Sequence, residues 1–512
     1  MPTSEASTGY RHTRFWILRL LGLVYATAFL ILIQQLEPLI GSHGLLPAAD
    51  FLDRVRAAGS ASGSTWTAVT HLPTLFWVGC SDTVLMATAW LGFALSLLAL
   101  FGVSNAVLQL ALWAMYLSFV QVGQLFYGYG WETQLAETGF LAIFLCPLLG
   151  WRPWPDSEPP RVVIWLFRWL IIRIMLGAGA IKLRGDPCWR DLTCLAYHYQ
   201  TQPIPNPLSL WLNAMPMGFH KAGVLFNYLV EMVAPFLVLG PRRARHAAGV
   251  LFVVFQATLI ASGNLSFLNW LTMVPALACF DDSFWEKLSP GRWRRYTVAR
   301  QRAAARPSQM AAAWLVAALV AVLSVQPVLN LLSPRQIMNT SFDPLRLVNT
   351  YGAFGSVGRV RNEIVIEGTR DETVGPGTRW QEYEFPCKPG DVMRRPCVIS
   401  PYHYRLDWQI WFAAMSTIDR QPWLIHMAAK LLDADPGIRS LLARDPFGDR
   451  PPRYIRMQLY RYEFTRPGEK TSAWWRRSLL REYLRPISRD DPALQSYLQR
   501  MGWNSGFGPS HR

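Results

Sequence analysis

Nine stretches of this sequence are apolar over about the length needed to cross a hydrocarbon core of roughly 30 Å. They run approximately over 15–33, 84–102, 107–126, 131–149, 162–182, 224–240, 247–262, 265–280 and 310–332. Such a chain has few options, because a backbone inside lipid must satisfy its own N–H and C=O groups. The runs predict a polytopic α-helical membrane protein with about nine transmembrane helices over residues 1–332. Composition agrees: 51% of the 512 residues are hydrophobic and only 16% are charged, against roughly 25% in soluble domains. The first run, Phe15–Ile33, is long for a signal-peptide core and no small-residue cleavage site follows it, so it is read as a retained helix.

Charge sets the direction. The formal net charge is +16, which would suit nucleic acid, but much of it lies in short loops between the runs and in the tail. With the N-terminus inside, Arg11, Arg14, Arg152 and Arg161 face the cytoplasm. So do Arg242, Arg243 and Arg245, and the run Arg292, Arg294, Arg295, Arg300, Arg302 and Arg306. The opposite turns near 128 and 263 carry no Lys or Arg, as the positive-inside rule requires. Nine crossings then leave the C-terminal part outside. Membrane lipids are partners on this reading, and nucleic acid is not.

Two outer loops are long. Residues 34–83 contain a Gly/Ser/Ala stretch (Ala57–Ser64) expected to be flexible, and residues 183–223 are rich in Pro, Trp and Tyr, which suggests a packed cap. From Ser333 to Arg512 the composition is that of a soluble domain. Asn362–Thr369, Trp380–Phe385, Tyr404–Trp411 and Arg453–Thr465 read as strands, whereas Trp423–Leu432 and Gly437–Leu442 read as short helices. An extracytoplasmic β-rich, sandwich-like domain over 333–512 is expected, able to fold without the membrane half. The segment Arg466–Arg489 reads as a basic tail suited to a membrane or protein contact.

Charges inside lipid-length runs are expensive and mark function or internal pairing. Glu132 and Glu137 lie in the fourth run; Arg168, Arg173 and Lys182 lie in the fifth; Glu231 lies in the sixth. A five-residue spacing turns Glu132 and Glu137 roughly 140° apart on a helix, so they do not make a two-carboxylate acid/base pair by themselves. Arg168 and Lys182 fall near one face and Arg173 points elsewhere. Two readings stand: interhelical pairing, with Glu132 and Lys182 snorkelling from run ends, or a polar ligand or proton site built on Glu137, Arg173 and Glu231.

Seven cysteines are present. On this topology Cys188 and Cys194, and Cys387 and Cys397, lie outside, where local disulfides are permitted. Neither pair has C-x-x-C spacing, so redox catalysis has little support. Cys80 is left over outside; Cys146 and Cys279 sit in apolar runs. His198 and His403, each between two tyrosines, have no second ligand at metal-binding spacing. No Walker loop, G-x-S-x-G, H-E-x-x-H or dinucleotide fingerprint occurs, so no metal and no cofactor is expected.

Several segments carry a resemblance. YGYGWETQLAETGFLAIFLCP (127–147), RIMLGAGAIKLRGDPCWRDLTCLAYHYQTQPIPNPLS (173–209) and GNLSFLNWLTMVPAL (263–277) resemble the lipase maturation factor family. So do VNTYGAFGSVGRVRNEIVIEGTRD (348–371), EYEFPCKPGDVMRRPCVISPYHYRLDWQIWFAA (382–414), ARDPFGDRPPRYIRMQLYRYEFT (443–465) and AWWRRSLLREYL (473–484). The resemblance implies a multi-spanning protein of the endoplasmic reticulum membrane, or of the cytoplasmic membrane in a bacterium, with a lumenal or periplasmic C-terminal domain. It implies a chaperone-like maturation factor for secreted client proteins, homodimeric lipases in animal relatives, rather than a lipid-hydrolysing enzyme. The rival reading is an integral membrane enzyme acting on a lipid or quinone through the charges in the runs.

Overall fold

The computed structural model describes residues 9–61, 65–103, 105–155, 157–288 and 304–503. Of the basic run at 292–306, only Arg306 falls among them. Five helices are long and apolar enough to cross a membrane: Arg11–Ile40, Asp82–Phe101, Arg161–Arg184, Arg242–Ser262 and Pro307–Leu332. Their starts follow local chemistry. Ser81 caps the second by accepting from the Val84 N–H, and Pro307 occupies the first turn of the fifth, where a missing N–H costs nothing.

Three of the other four runs form shorter helices. Ala106–Val122 has 17 residues and Gly130–Leu145 has 16, the latter buried on nearly every side. The run at 265–280 shortens to Leu268–Ala276 and one 3₁₀ turn, also buried. The last two of these helices are packed mostly against protein. The run at 224–240 lies in a continuous helical segment: an α-helix over Met217–Tyr228, a π turn over Leu229–Val233 and an α-helical turn over Ala234–Leu237. Among the described residues, five helices thus meet the length and composition of a membrane crossing, where nine crossings were expected.

The two long outer loops are ordered where described. Ala57–Ala61 continues the helix Ala48–Ala61 instead of forming a flexible stretch, and residues 62–64 lie outside the described residues. Residues 183–223 fold into short helices, the first of them fixed by Asp186, whose carboxylate accepts from the Cys188 N–H.

After Leu332 the chain builds one four-stranded antiparallel sheet with strand order β2-β1-β3-β4. The strands are β1 (Arg361–Thr369), β2 (Gln381–Glu382), β3 (Tyr454–Phe464) and β4 (Trp475–Ser488). Ile364 opposes Leu459 and Ile366 opposes Met457 across β1 and β3. The expected sandwich is not formed. Among the described residues there is no second sheet; helices Arg405–Ala413 and Pro422–Leu432 pack on β1 and β3 in its place. β4 arises from the segment read as a basic tail.

The most instructive correction is Tyr404–Trp411, expected as a strand and folded as a helix. Apolar Tyr404, Leu406, Trp408 and Ile410 alternate with polar Arg405, Asp407 and Gln409, a period of two. The alternation misleads because both sets are buried, the polar set against partners of its own. Arg405 meets Glu132, Asp407 accepts the Cys387 and Lys388 N–H groups at 2.7 and 2.8 Å, and Gln409 donates to the Leu125 carbonyl and the Tyr129 hydroxyl.

Candidate functional site

The charges in the runs resolve into separate pairs. Glu132, in the first turn of Gly130–Leu145, is fully buried. Its Oε1 accepts from Arg405 Nη1 at 2.8 Å, and its Oε2 accepts the Tyr116 hydroxyl. The same Nη1 reaches the Phe126 carbonyl at 2.7 Å, and the guanidinium lies over the Tyr127 ring at 3.6 Å. The Arg405 N–H is held by Gln35, whose amide also donates to the His403 carbonyl. Burial alone would lower the Arg405 pKa, but Glu132 and the tyrosines Tyr127 and Tyr116 raise it above its ordinary value, so the group stays a cation. Sequence reasoning flagged Glu132 and missed Arg405.

Glu137 forms the second pair. Its Oε1 accepts from Arg173 on Arg161–Arg184. Its Oε2 gathers three donors: the Asn349 N–H and Nδ2, each at 3.0 Å, and the Tyr351 hydroxyl at 2.7 Å. Arg173 Nη1 returns to the Asn349 carbonyl at 2.8 Å. One residue past the membrane half thus bridges both members of a buried ion pair. The segment can come this close because Gly177 and Gly185 leave room for the Tyr351 and Gly355 carbonyls where a Cβ would collide.

Lys182 and Glu231 make the third pair, Nζ to Oε1 at 2.5 Å, with Asn227 Oδ1 at 3.1 Å and the Trp189 ring 5.1 Å away. Glu231 stands on the π turn, whose extra residue turns the carboxylate inward while Leu229 and Val233 stay exposed. Arg168 joins none of these pairs: its Nε donates to the Ala278 carbonyl and its Nη2 to the Tyr10 hydroxyl, both at 2.9 Å. Neither Glu132 nor Lys182 snorkels; both are buried.

A further group ties the sheet to the loop after Arg184. Arg361 on β1 is fully buried beside Glu363, 2.8 Å from Nε to Oε1, and donates to the Gln200, Gln202 and Pro203 carbonyls. Lys388 lies 3.1 Å from Glu363. Asn264 donates to the Cys397 carbonyl and accepts from the Ile399 N–H, both at 2.9 Å. The C-terminal segment is thereby bonded to the preceding part of the chain through buried groups. Isolated 333–512 would lose Glu132, Glu137 and the loop carbonyls together.

Both cysteine pairs are bonded, Cys188–Cys194 with Cα atoms 4.8 Å apart and Cys387–Cys397 at 5.6 Å. Asp186 approaches the first pair within 4.8 Å, the spacing of a metal cluster, but the sulfurs are joined to each other, and Asp186 is engaged by the Cys188 N–H and Arg359. Two buried histidines stay neutral. Burial and nearby Lys182 push His198 down to about 4. His403 is enclosed by Tyr129, Trp131 and Trp408, and burial together with Arg405 holds it well below its ordinary value.

Lipid-length helices joined through a buried ion pair and buried hydrogen bonds to a segment that carries an antiparallel sheet define an integral membrane protein. The family description "lipase maturation factor transmembrane domain" matches residues 12–287, and "lipase maturation factor C-terminal domain" matches residues 347–485. The chain belongs to the lipase maturation factor family. It is 49% identical to lipase maturation factor 1 of Bos taurus over 96% of this chain and 91% of that protein. Identity to the Homo sapiens protein of that name is 47%, over 96% and 90%. Identity to lipase maturation factor 2 of Homo sapiens is 30%, over 98% and 86%. No solved structure matches the chain.

Proposed function

We propose that the protein is a membrane-embedded maturation factor that assists folding and assembly of exported proteins, secreted lipases foremost. The observation that carries this is its near-full-length identity to proteins named for lipase maturation. The structure supports a scaffold reading for the buried charges. Every oxygen of Glu132 and of Glu137 accepts at least one internal hydrogen bond from an arginine, tyrosine or amide donor, so both carboxylates are engaged in holding the fold together. The enzyme alternative therefore finds no support in this site.

In this reading residues 333–512 face the lumen or periplasm and receive the client, with the endoplasmic reticulum as the compartment in a eukaryote. The one-sided distribution of arginines supports that orientation, and so do two disulfides on the predicted outer side. The test is complementation. In cells that lack their own lipase maturation factor and express a secreted lipase, this chain is expected to restore secreted lipase activity at constant lipase transcript. Failure to restore it, with the protein correctly inserted, overturns the proposal.

A further inference from the structure

The central strand β1 is covered along nearly its whole length, whereas β4 stands bare. From Arg476 to Glu482 every side chain but the half-buried Arg477 is exposed, although alternate residues of a strand point to opposite faces. This stretch is therefore uncovered on both faces as well as along its outer edge. Among the described residues, no backbone group of 476–487 bonds to a main chain other than β3. Leu479 and Leu480, at 57% and 45% exposure, occupy its middle, and the Tyr483 hydroxyl anchors the far side to the Ala413 carbonyl, next to exposed Met415. An open strand edge with adjacent apolar side chains is a template for another strand.

Charge selects the occupant. β4 carries four arginines (Arg476, Arg477, Arg481, Arg485) against one acid, Glu482. Glu469, Glu382 and Asp491 neutralise three of them. Arg481 has no carboxylate partner among the described residues; it leans on the Tyr483 ring and donates to the Glu482 carbonyl. A second copy adding antiparallel to this edge would set arginines against arginines, which is unfavourable across a strand pair. The register with β3 slips at Leu480, which sets Leu479 and Arg481 on opposite faces, so an extended chain with acidic and apolar residues in alternation would meet Arg481 on one face and cover Leu479 on the other.

We propose that the edge of β4 over Arg476–Glu482 is a strand-addition site for an extended, acidic and apolar segment of an incompletely folded exported protein. This deepens the maturation reading and rests on it for the origin of the segment. Backbone hydrogen bonds supply sequence-tolerant affinity, and the leucines and Arg481 supply the preference. A client that completes its own sheet withdraws the segment and leaves.

The test uses the full chain in phosphatidylcholine nanodiscs and a fluorescein-labelled ten-residue peptide alternating valine and glutamate, read by anisotropy. Saturable binding is expected. Arg481→Glu is expected to weaken it roughly tenfold and to favour a valine–lysine peptide instead. Leu480→Pro and, should that variant misfold, the milder pair Leu479→Ser with Leu480→Ser are both expected to lower affinity, and a proline in the centre of the peptide is expected to abolish binding. Equal binding to Arg481→Glu and wild type, equal binding of the proline peptide, or dimerisation through this edge overturns the site. Arg481-dependent capture of phosphatidylserine vesicles in place of the peptide also overturns it. Complementation separates the two claims. Wild type and edge variants restoring lipase equally removes the site and leaves the function; peptide binding at the edge without restoration by wild type removes the function.

Discussion

Truncating Arg405 is the sharpest test of how the two parts of the molecule are joined. Arg405→Met keeps the aliphatic stem and deletes the guanidinium, leaving Glu132 fully buried with only the Tyr116 hydroxyl. Breaking one side of a buried ion pair costs roughly 3–5 kcal/mol, because the surviving charge is uncompensated. The Phe126 carbonyl also loses its 2.7 Å donor and the Tyr127 ring its cation, which places the expected loss in the upper half of that range. Glu132→Leu alone strands the arginine and is expected to cost a similar amount. The double variant removes both charges and is expected to recover at least about 2 kcal/mol relative to additivity. Unfolding of the purified protein in nanodiscs, followed by tryptophan fluorescence, gives the free energies. Hydrogen exchange across 405–413 shows whether that helix loosens first. Additive single losses, or a loss under about 1 kcal/mol for Arg405→Met, would refute the argument that this pair locks the sheet to the helices. Arg405→Lys is expected to rescue little, because a lysine offers no planar face to Tyr127.

Other consequences are testable with the same material. Gly177→Ala drives a Cβ into the Tyr351 carbonyl, which is backbone and cannot swing away; it should displace 349–351 and expose Glu137, seen as faster exchange at the Asn349 amide. Burial raises the Asp407 carboxyl to about 6 against the Cys387 and Lys388 N–H groups that pull it down. The folded chain therefore holds a proton between about pH 4 and 6 that the unfolded chain has released. This favourable contribution is complete below pH 4 and is lost as pH rises through 6. Asp407→Asn should flatten that slope, worth about 2–3 kcal/mol across the window, and an unchanged slope would show that another group carries it. Cys397→Ser opens the ten-residue loop to Cys387 and is expected to cost roughly 2–3 kcal/mol. Peptide mapping under non-reducing conditions checks that bond in the wild type.

The lipid-length helices were legible because hydropathy measures what lipid demands of a backbone. Lengths were harder to read where apolar runs are buried by protein, as in Gly130–Leu145 and Leu268–Ala276, since core and bilayer select the same residues. Five of the seven charges in or at the ends of the runs, Glu132, Glu137, Arg173, Lys182 and Glu231, belong to buried pairs, and their expense alone singled them out. Their partners were harder to see. Arg405 lies 273 residues from Glu132 and Asn349 lies 212 from Glu137, distances over which one sequence carries no pairing signal. Arg405 also sat in a segment whose period of two pointed to a strand. β4 was hidden for a different reason: its exposed arginines and leucines lack the alternation of a half-buried strand.

The bridging position of Asn349 also sets a timetable. Arg173 and Asn349 are separated by 176 residues, which take on the order of 10–35 s to synthesise at roughly 5–20 residues per second. During that interval Glu137 and Arg173 have each other but lack the backbone and amide that later join them. The helices can be inserted and paired, yet the core stays incomplete until the segment beyond the last crossing arrives. A chain stopped before residue 349 is thus a distinct, under-bonded species, and the seating of one asparagine marks the moment at which the molecule becomes a finished protein.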